Sequence, residues 1–277
     1  MLTRILSAAI GIVIGVLVIF IDNFWLYTVI IAAIGAIGVW ELTRAVRCTE
    51  HKVLRWYCIC FSAVVPFMLN VDALRPYMLT VYMVFVMVLL LIMLAEHKTV
   101  RFEHIAMCGC GALVIPAMLN CLVWLWMSYS EYSLGPFMVM YILFCAWFGD
   151  SGAYFVGTFL GKHKLCPQIS PKKTVEGLIG GILTSGIVAA VFCLIYNSFF
   201  AADYTVSYAV LIPAGMAASF AGVLGDLSAS VIKRQYDIKD FGNLMPGHGG
   251  VLDRFDSVLF VAPFLYILFR YVSPVVQ

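Results

Sequence analysis

The chain is dominated by apolar runs that are long enough to cross a membrane. About 20 predominantly apolar residues span the hydrocarbon core of a bilayer. Of the 277 residues, 63% are hydrophobic and only 12% are charged, with a mean hydropathy of +1.00, whereas soluble domains carry about 25% charged residues. The sequence therefore predicts an all-α, polytopic membrane protein and excludes a nucleic-acid-binding protein, a disulfide-stapled secreted domain and a disordered chain. The polar breaks predict about nine transmembrane helices, over residues 5–22, 24–41, 54–72, 76–95, 104–127, 135–160, 175–199, 205–232 and 252–271.

The basic residues of the loops predict the orientation. If the N-terminus is cytoplasmic and nine spans alternate, 15 of the 17 Lys and Arg residues lie on the cytoplasmic side, all except Arg75 and Arg270. Such an excess is typical of cytoplasmic loops. No small-residue cleavage site follows the first apolar run, so this run is predicted to be a retained signal anchor. The nine cysteines, most of them inside apolar runs, are interpreted as packing residues.

The polar residues divide the chain into two regions. Residues 1–134 contain no carboxylate deep within a predicted span, so we expect these N-terminal helices to be a lipid-facing scaffold. Residues 135–277 hold nearly all the groups that could do chemistry and are expected to form the catalytic region. No internal repeat of the kind found in transporters is present.

One polar face is predicted on the eighth span. Gly222, Asp226, Ser230 and Lys233 follow one another at helical spacing, so they share a face. A packing seam with a snorkelling lysine would explain Gly222 and Lys233. It would not explain Asp226, because an aspartate at membrane depth costs about 2.5–3.5 kcal/mol and usually has a function.

A glycine-rich segment follows, between Lys239 and Asp256. Its irregular backbone offers amides that could cradle a phosphate, and Asp253 and Asp256 lie one helical turn apart at the start of the last span. Acidic residues in a first helical turn are also ordinary capping residues. Antiparallel packing of the last two spans would bring Asp226 close to both carboxylates. Such a group suits Mg²⁺, which commonly binds through one or two carboxylates and substrate phosphates.

A second polar cluster lies around the sixth span. Asp150, Tyr154, Gly157 and Gly161 share a helical face. The segment from Ser170 to Gly177 then opens the seventh span, with Thr174 as its predicted N-cap. Lys172 and Lys173 are either markers of the cytoplasmic side or part of an anion site with the neighbouring hydroxyl groups.

These motifs resemble the signature of the phosphatidate cytidylyltransferase (CDP-diacylglycerol synthase) family. The resemblance covers about the C-terminal half of the chain. It rests on Asp150, Ala153, Tyr154, Gly157, Gly161, Lys162, Ser170, Pro171, Lys173, Thr174, Glu176 and Gly177, and on Ser230, Lys233, Arg234, Lys239, Asp240, Pro246, His248, Gly249, Gly250, Asp253, Arg254 and Asp256.

The resemblance implies a reaction of phospholipid biosynthesis, in which CTP and phosphatidic acid give CDP-diacylglycerol and pyrophosphate. It implies magnesium, with a second cation as an option, on Asp226, Asp253 and Asp256, and catalytic roles for Asp226, Asp253, Lys233 and Arg254. The substrate-binding residues implied are Asp150, Ser170, Lys173, Thr174, Ser230, Arg234, Lys239, Asp240, His248, Gly249 and Gly250. Lys173 with Ser170 and Thr174 would bind either the lipid headgroup or the nucleotide, and His248 would either bind phosphate or brace the loop. We expect a site at the cytoplasmic face of a bacterial inner membrane, and a homodimer.

Other functions remain alternatives. A CTP-dependent polyprenol kinase shares the membrane setting and the nucleotide, but it would release CDP rather than pyrophosphate. A CDP-alcohol phosphotransferase also groups aspartates on membrane helices, yet its Asp-Gly-x-x-Ala-Arg opening is absent. A proton-coupled transporter could use Asp150 and Asp226 as relays, although it would not need so polar a loop.

Overall fold

The computed structural model describes residue 21 and residues 23–201, 203–245 and 249–276. The predicted first span, 5–22, therefore lies outside the described residues except for residue 21, and Pro246, Gly247 and His248 lie outside them as well. The long helices are α1 (Phe24–Ala45), α2 (Lys52–Asn70), α3 (Met78–Ala95), α4 (Phe102–Tyr129), α5 (Gly135–Phe159), α6 (Val175–Phe199) and α7 (Tyr208–Gln235), and two shorter ones follow, α8 (Leu252–Phe255) and α9 (Val258–Phe269).

The predicted fold class is confirmed: the chain is an all-α, multi-pass membrane protein. Over the described ranges, seven helical segments, one in each of α1 to α7, are long and apolar enough to cross a membrane. Short 3₁₀ turns extend two of them, Arg75–Tyr77 before α3 and Ser130–Tyr132 after α4. The total of nine spans and the cytoplasmic N-terminus stay predictions.

The last predicted span, 252–271, is not a continuous helix. It is divided into α8 and α9 by a turn at Asp256 and Ser257. The Asp256 carboxylate accepts a hydrogen bond from the Ser257 main-chain N–H (2.9 Å), and the Ser257 hydroxyl donates to Asp150 (2.9 Å). The first bond is local and competes with helical ones, and the second comes from a residue 107 positions away. The apolar character of the segment indicated neither bond, so it did not indicate the break.

Two short antiparallel ribbons complete the fold. Strand β1 (Lys164–Cys166) pairs with β2 (Ser170–Thr174) between α5 and α6, and β3 (Thr205–Val206) pairs with β4 (Val275–Val276). Neither ribbon was predicted, and residues 205–207 lie before α7 rather than inside it. The first ribbon, which we call the basic hairpin (residues 164–174), carries Lys164, Lys172 and Lys173.

The chain forms two compact units. The first unit consists of the described residues up to Val123 together with Gln235–Arg254, and the second of Trp124–Arg234 together with the described residues from Phe255 onward. In the first unit, α1 and α2 pack together. There Asn70 donates a hydrogen bond to Thr28 (3.2 Å) and exchanges two with Asn120 (2.8 and 3.1 Å), so buried polar groups find partners inside the helix bundle.

In the second unit, α5 and α6 pack closely through small residues. A Cβ added at Gly181 would lie 2.9 Å from the carbonyl oxygen of Gly149, and one at Gly177 would lie 2.7 Å from that of Ala153. Small residues allow such close approach of membrane helices. The Tyr141 hydroxyl donates to the Leu211 carbonyl (2.6 Å), which joins α5 to α7.

Candidate active site

The polar face predicted on α7 lies in the second unit and holds an ion pair. Lys173 Nζ of the basic hairpin lies 2.7 Å from Asp226 Oδ2, and the Ser230 hydroxyl donates to Asp226 Oδ1 (3.3 Å). The side chains of Lys173 and Asp226 are 22% and 32% exposed. Both side chains are therefore partly exposed, although the Lys173 nitrogen itself is buried.

The turn between α8 and α9 brings a second carboxylate to the same region of this unit. Lys233 Nζ lies 3.8 Å from Asp256 Oδ2, and both side chains are nearly buried. Burial, together with the neighbouring Asp226 and Asp150 carboxylates, raises the pKa of Asp256 to about 7, against the lowering effect of Lys233. A Cβ added at Gly225 would lie 2.4 Å from the Asp256 carbonyl oxygen, so this glycine allows α7 to approach the turn.

A pocket of about 490 Å³ opens beside the Lys173–Asp226 pair. The charged residues that line it are Asp150, Asp226 and the three lysines of the basic hairpin, Lys164, Lys172 and Lys173. Leu165, Leu178 and Val223 add apolar walls, and Tyr154 lies at its edge with 67% of its surface exposed. The pocket thus combines a positively charged hairpin with carboxylates and apolar surface.

Local interactions hold the basic hairpin in place. Thr174 is the N-cap of α6, as predicted: its hydroxyl accepts a hydrogen bond from Gly177 N–H (3.1 Å). The Glu176 carboxylate accepts bonds from the main-chain N–H groups of Lys162 (3.1 Å) and His163 (3.2 Å) and contacts the His163 ring at 2.6 Å. These contacts join the start of the hairpin to the first turn of α6.

The glycine-rich segment lies in the first unit, and four main-chain amides in it bind carboxylates, while a phosphate cradle formed by its other amides stays a prediction. We call residues 236–251 the signature loop. Phe241 and Gly250 donate their N–H groups to Asp253 Oδ2 (2.8 and 3.0 Å). Val251 and Leu252 donate theirs to the carboxylate of Glu41 (3.0 and 2.8 Å). These four amides therefore bind carboxylates of the chain itself.

The structure gathers one part of the predicted site residues in the second unit. Lys173, Asp226 and Ser230 form one group of contacts there, and Lys233, Asp256 and Asp150 belong to a second. Asp150, Asp226 and Thr174 line the same pocket. Ser170 begins β2, where it pairs with Cys166 outside the pocket lining. Arg234 is exposed, and its Nε donates to the Ile169 carbonyl (3.4 Å).

The remaining predicted site residues lie in the first unit. Lys239, Asp240 and Arg254 are exposed, whereas Gly250 and Asp253 are buried. Gly249 has φ +88°, a conformation that suits glycine. His248 lies outside the described residues, so its role stays a prediction.

Sequence reasoning assigned no site role to four residues, although Glu176 was among those that carry the resemblance. Lys164 lines the pocket, Glu176 fixes the hairpin, Ser257 binds Asp150, and Glu41 binds the signature loop. Glu41 is 0% exposed although it lies near the end of a candidate span. An intramembrane carboxylate is a functional signal, but its position at a predicted helix end made Glu41 resemble an ordinary boundary residue.

The donor set suits a hard cation. Across the described ranges, no three His, Cys, Asp or Glu side chains form a group that could hold a metal ion by themselves. Magnesium does not need three, because it usually takes one or two carboxylates and completes its shell with water and substrate phosphates. Asp226 and Asp256 offer two such oxygen donors within the second unit.

Comparisons with known proteins agree with the chemistry of these residues. The model of the "Cytidylyltransferase family" matches residues 2–272. The chain is 35% identical over 249 residues to a phosphatidate cytidylyltransferase of Bacillus subtilis (strain 168), covering 87% of this chain and 88% of that protein. It is 44% identical over 140 residues to the proteins of the same name from Staphylococcus haemolyticus (strain JCSC1435) and Staphylococcus aureus (strain COL), covering 50% of this chain and 52% of each of them. With the family model matched over nearly its whole length, the chain belongs to the cytidylyltransferase family.

Proposed function

We propose that this protein is a phosphatidate cytidylyltransferase, which converts CTP and phosphatidic acid into CDP-diacylglycerol and pyrophosphate. The relatives named for this activity support the substrates. The observation that carries the proposal is the pocket of the second unit, in which Lys173 is paired with Asp226 and two more lysines face the same space. Lysine binds phosphate as a point charge, and both substrates carry phosphates.

The reaction needs alignment more than a strong base. A phosphate oxygen of phosphatidic acid forms a bond to the α-phosphorus of CTP, and the bond from that phosphorus to the pyrophosphate oxygen breaks. Because the attacking phosphate is already anionic, no hydroxyl proton has to be removed. Catalysis therefore depends on positioning two anions and on neutralising the charge that builds on the leaving pyrophosphate.

The residues of the pocket fit these tasks. The lysines of the basic hairpin would bind and orient phosphate oxygens, with Lys173 exchanging its contact with Asp226 for one with substrate. Lys233 would hold Asp256 in place through their ion pair. The apolar lining beside Tyr154 would receive the glycerol end of the lipid, whose acyl chains stay in the membrane. Lys239, Arg234 and Arg254 remain predicted phosphate ligands.

Magnesium is part of this proposal. Asp226 and Asp256 would hold the ion, and Asp253 remains a predicted ligand. When bound, the cation would neutralise charge on the triphosphate and on the leaving pyrophosphate. The carboxylate set supports this assignment, because Asp256 has its pKa raised partly by neighbouring carboxylates, and a divalent cation between them would relieve their repulsion.

The cellular setting is inferred in the same way. Bacterial relatives and the apolar spans favour the inner membrane of a bacterium, with the active site at its cytoplasmic face.

We also expect a homodimer. Light scattering of the protein in detergent measures its oligomeric state, and a monomer at the activity-assay concentration would contradict that expectation.

A product assay tests the proposed function. Purified protein in detergent, supplied with phosphatidic acid, Mg²⁺ and CTP labelled in both the cytosine ring and the γ-phosphate, should form CDP-diacylglycerol and release labelled pyrophosphate. Asp226→Asn should abolish the product while the protein elutes as the wild type does in size-exclusion chromatography. Asp203→Asn, which changes an exposed aspartate of the same unit, should have no effect.

Two results would overturn the proposal. Release of CDP in place of pyrophosphate would indicate a kinase. Full activity of both Asp226→Asn and Asp253→Asn would remove the carboxylates from the mechanism.

A further inference from the structure

The mechanism proposed above does not use Glu41, although this residue has the features of a specialised group. It lies near the end of α1, and its carboxylate is completely buried. Oε1 accepts a hydrogen bond from Val251 N–H (3.0 Å) and Oε2 accepts one from Leu252 N–H (2.8 Å). These bonds join positions 210 and 211 residues apart in the chain. Burying a carboxylate is costly unless such partners compensate it.

Two glycines of the signature loop provide the space for this side chain. A Cβ added at Gly242 would lie 2.4 Å from Glu41 Oε1, and one added at Gly250 would lie 2.5 Å from Oε2. Real Cβ atoms do not approach oxygen atoms so closely. The Glu41 carboxylate therefore leaves no room for a Cβ atom at position 242 or 250. The absence of side chains at Gly242 and Gly250 allows the loop to pack closely against the Glu41 carboxylate.

Asp253 accepts hydrogen bonds from the same loop. Its Oδ2 binds the N–H groups of Phe241 and Gly250, so the two carboxylates together hold one position within the loop and its C-terminal end. The amides of Gly250, Val251 and Leu252 are consecutive, and they are divided between Asp253 and Glu41. Movement of Glu41 would therefore change the position of Asp253 and of Arg254 next to it.

We propose that Glu41 is a positioning residue for cytidylyl transfer. It fixes the end of the signature loop and the first turn of α8, and with them Asp253 and Arg254, without touching substrate itself. This inference rests on the proposed function, since it assigns Glu41 to that reaction. It also gives α1, which was expected to be lipid-facing scaffold, a direct part in the geometry of the signature.

The kinetic test compares three substitutions. Glu41→Ala removes both acceptors and should lower kcat/KM for CTP by about 100-fold, the effect of a misplacement of about 1 Å. Glu41→Gln keeps one acceptor oxygen at the same length and should lose only about 10-fold, within the range found for residues that orient metal ligands. Gly242→Ala should reproduce the alanine result, because the added methyl group displaces the carboxylate.

Matched controls separate positioning from a general loss of structure. Glu50→Gln changes an exposed glutamate of the same unit, and Gly38→Ala adds a methyl group to α1 where its contacts would be ordinary, at 3.5 Å. Both should behave as the wild type. In Glu41→Ala, the Mg²⁺ concentration for half-maximal rate should rise while the amount of folded protein stays the same, which a purely structural role would not produce.

Hydrogen exchange provides a readout that does not depend on activity. Peptides covering residues 249–255 should exchange faster in Glu41→Ala than in the wild type, whereas peptides of α5 should not change. Wild-type kinetics in Glu41→Ala, or a loss of rate matched by an equal loss of folded protein at unchanged KM, would overturn the inference. If the wild type makes no CDP-diacylglycerol, the proposed function fails, but unchanged exchange in Glu41→Ala would overturn the positioning role separately.

Discussion

In the first unit, the carboxylates of Glu41 and Asp253 accept hydrogen bonds from main-chain N–H groups, whereas in the second unit Asp226 and Asp256 face lysine ammonium groups. A main-chain amide can leave its acceptor only if the backbone moves. A lysine side chain can rotate toward a different anion. The first arrangement therefore stabilises the main chain around it, and the second, at the Lys173–Asp226 pair, provides charges that a substrate can recruit. The role of a carboxylate in this chain thus depends on whether it binds main-chain amides or lysine side chains.

The largest expected effect concerns the exchangeable pair. Lys173→Met should lower kcat/KM by about 100- to 1,000-fold, the cost of losing one preorganised group that stabilises developing charge. Steady-state kinetics with CTP and phosphatidic acid measure this effect. Lys98→Met, at an exposed position outside the site and the signature motifs, is the control and should retain wild-type rates. Normal kinetics in Lys173→Met would show that the pair is only structural.

Breaking the Lys233–Asp256 ion pair should lower the stability of the protein. Both side chains are nearly buried, so at about pH 9, above the pKa of about 7 of Asp256, Lys233→Met leaves a carboxylate without its cation and should lower the free energy of unfolding by about 3 kcal/mol. The double variant with Asp256→Asn should recover part of this loss, because both charges are then removed. Chemical unfolding in detergent, followed by tryptophan fluorescence, measures both. Equal losses in the single and double variants would indicate that the two side chains do not interact.

Without metal, the thermal stability of the protein should depend on the protonation of Asp256. Its pKa of about 7 in the folded chain lies above the usual 3.8, so the folded state binds the proton more tightly than the unfolded state does. The resulting stabilisation is fully present below about pH 3.8 and is lost as the pH rises through 7. In EDTA, the thermal midpoint of the wild type should therefore fall between pH 5 and 8 more steeply than that of Asp256→Asn. Identical slopes would contradict this prediction.

The smallest expected effect concerns the start of α6. Thr174→Ala removes the acceptor of the Gly177 N–H bond and should lower stability by about 1 kcal/mol. Thr174→Ser keeps the hydroxyl and should stay close to the wild type in thermal unfolding. If both variants unfold alike, the hydroxyl does not contribute as a cap.

Sequence patterns predicted those features that depend on neighbouring residues. The apolar runs located the helices described by the structure, and helical spacing placed Asp226, Ser230 and Lys233 on one face. The Thr174 cap also depends on a local pattern. The break at Asp256 and Ser257 was not predictable, since it depends on Asp150, more than 100 residues away in the chain. Hydropathy records only that the surrounding residues are apolar.

The role of Glu41 was hidden for a related reason. Glycines in a polar loop predict either a phosphate cradle or close approach by another group, and only the fold distinguishes these cases. Gly242 and Gly250 were interpreted as a cradle, while the structure places the Glu41 carboxylate beside them. No local pattern links a glutamate at the end of one helix to glycines two hundred residues later.

The bonds between Glu41 and the signature loop also concern the order of biosynthesis. The amide partners of this carboxylate leave the ribosome about 210 residues after it. Val251 and Leu252 can therefore form these bonds only after all of those residues have been made, and the helices that are already inserted must keep Glu41 accessible until then. A gene split between these regions should yield assembled protein only when both fragments are expressed together in the same membrane.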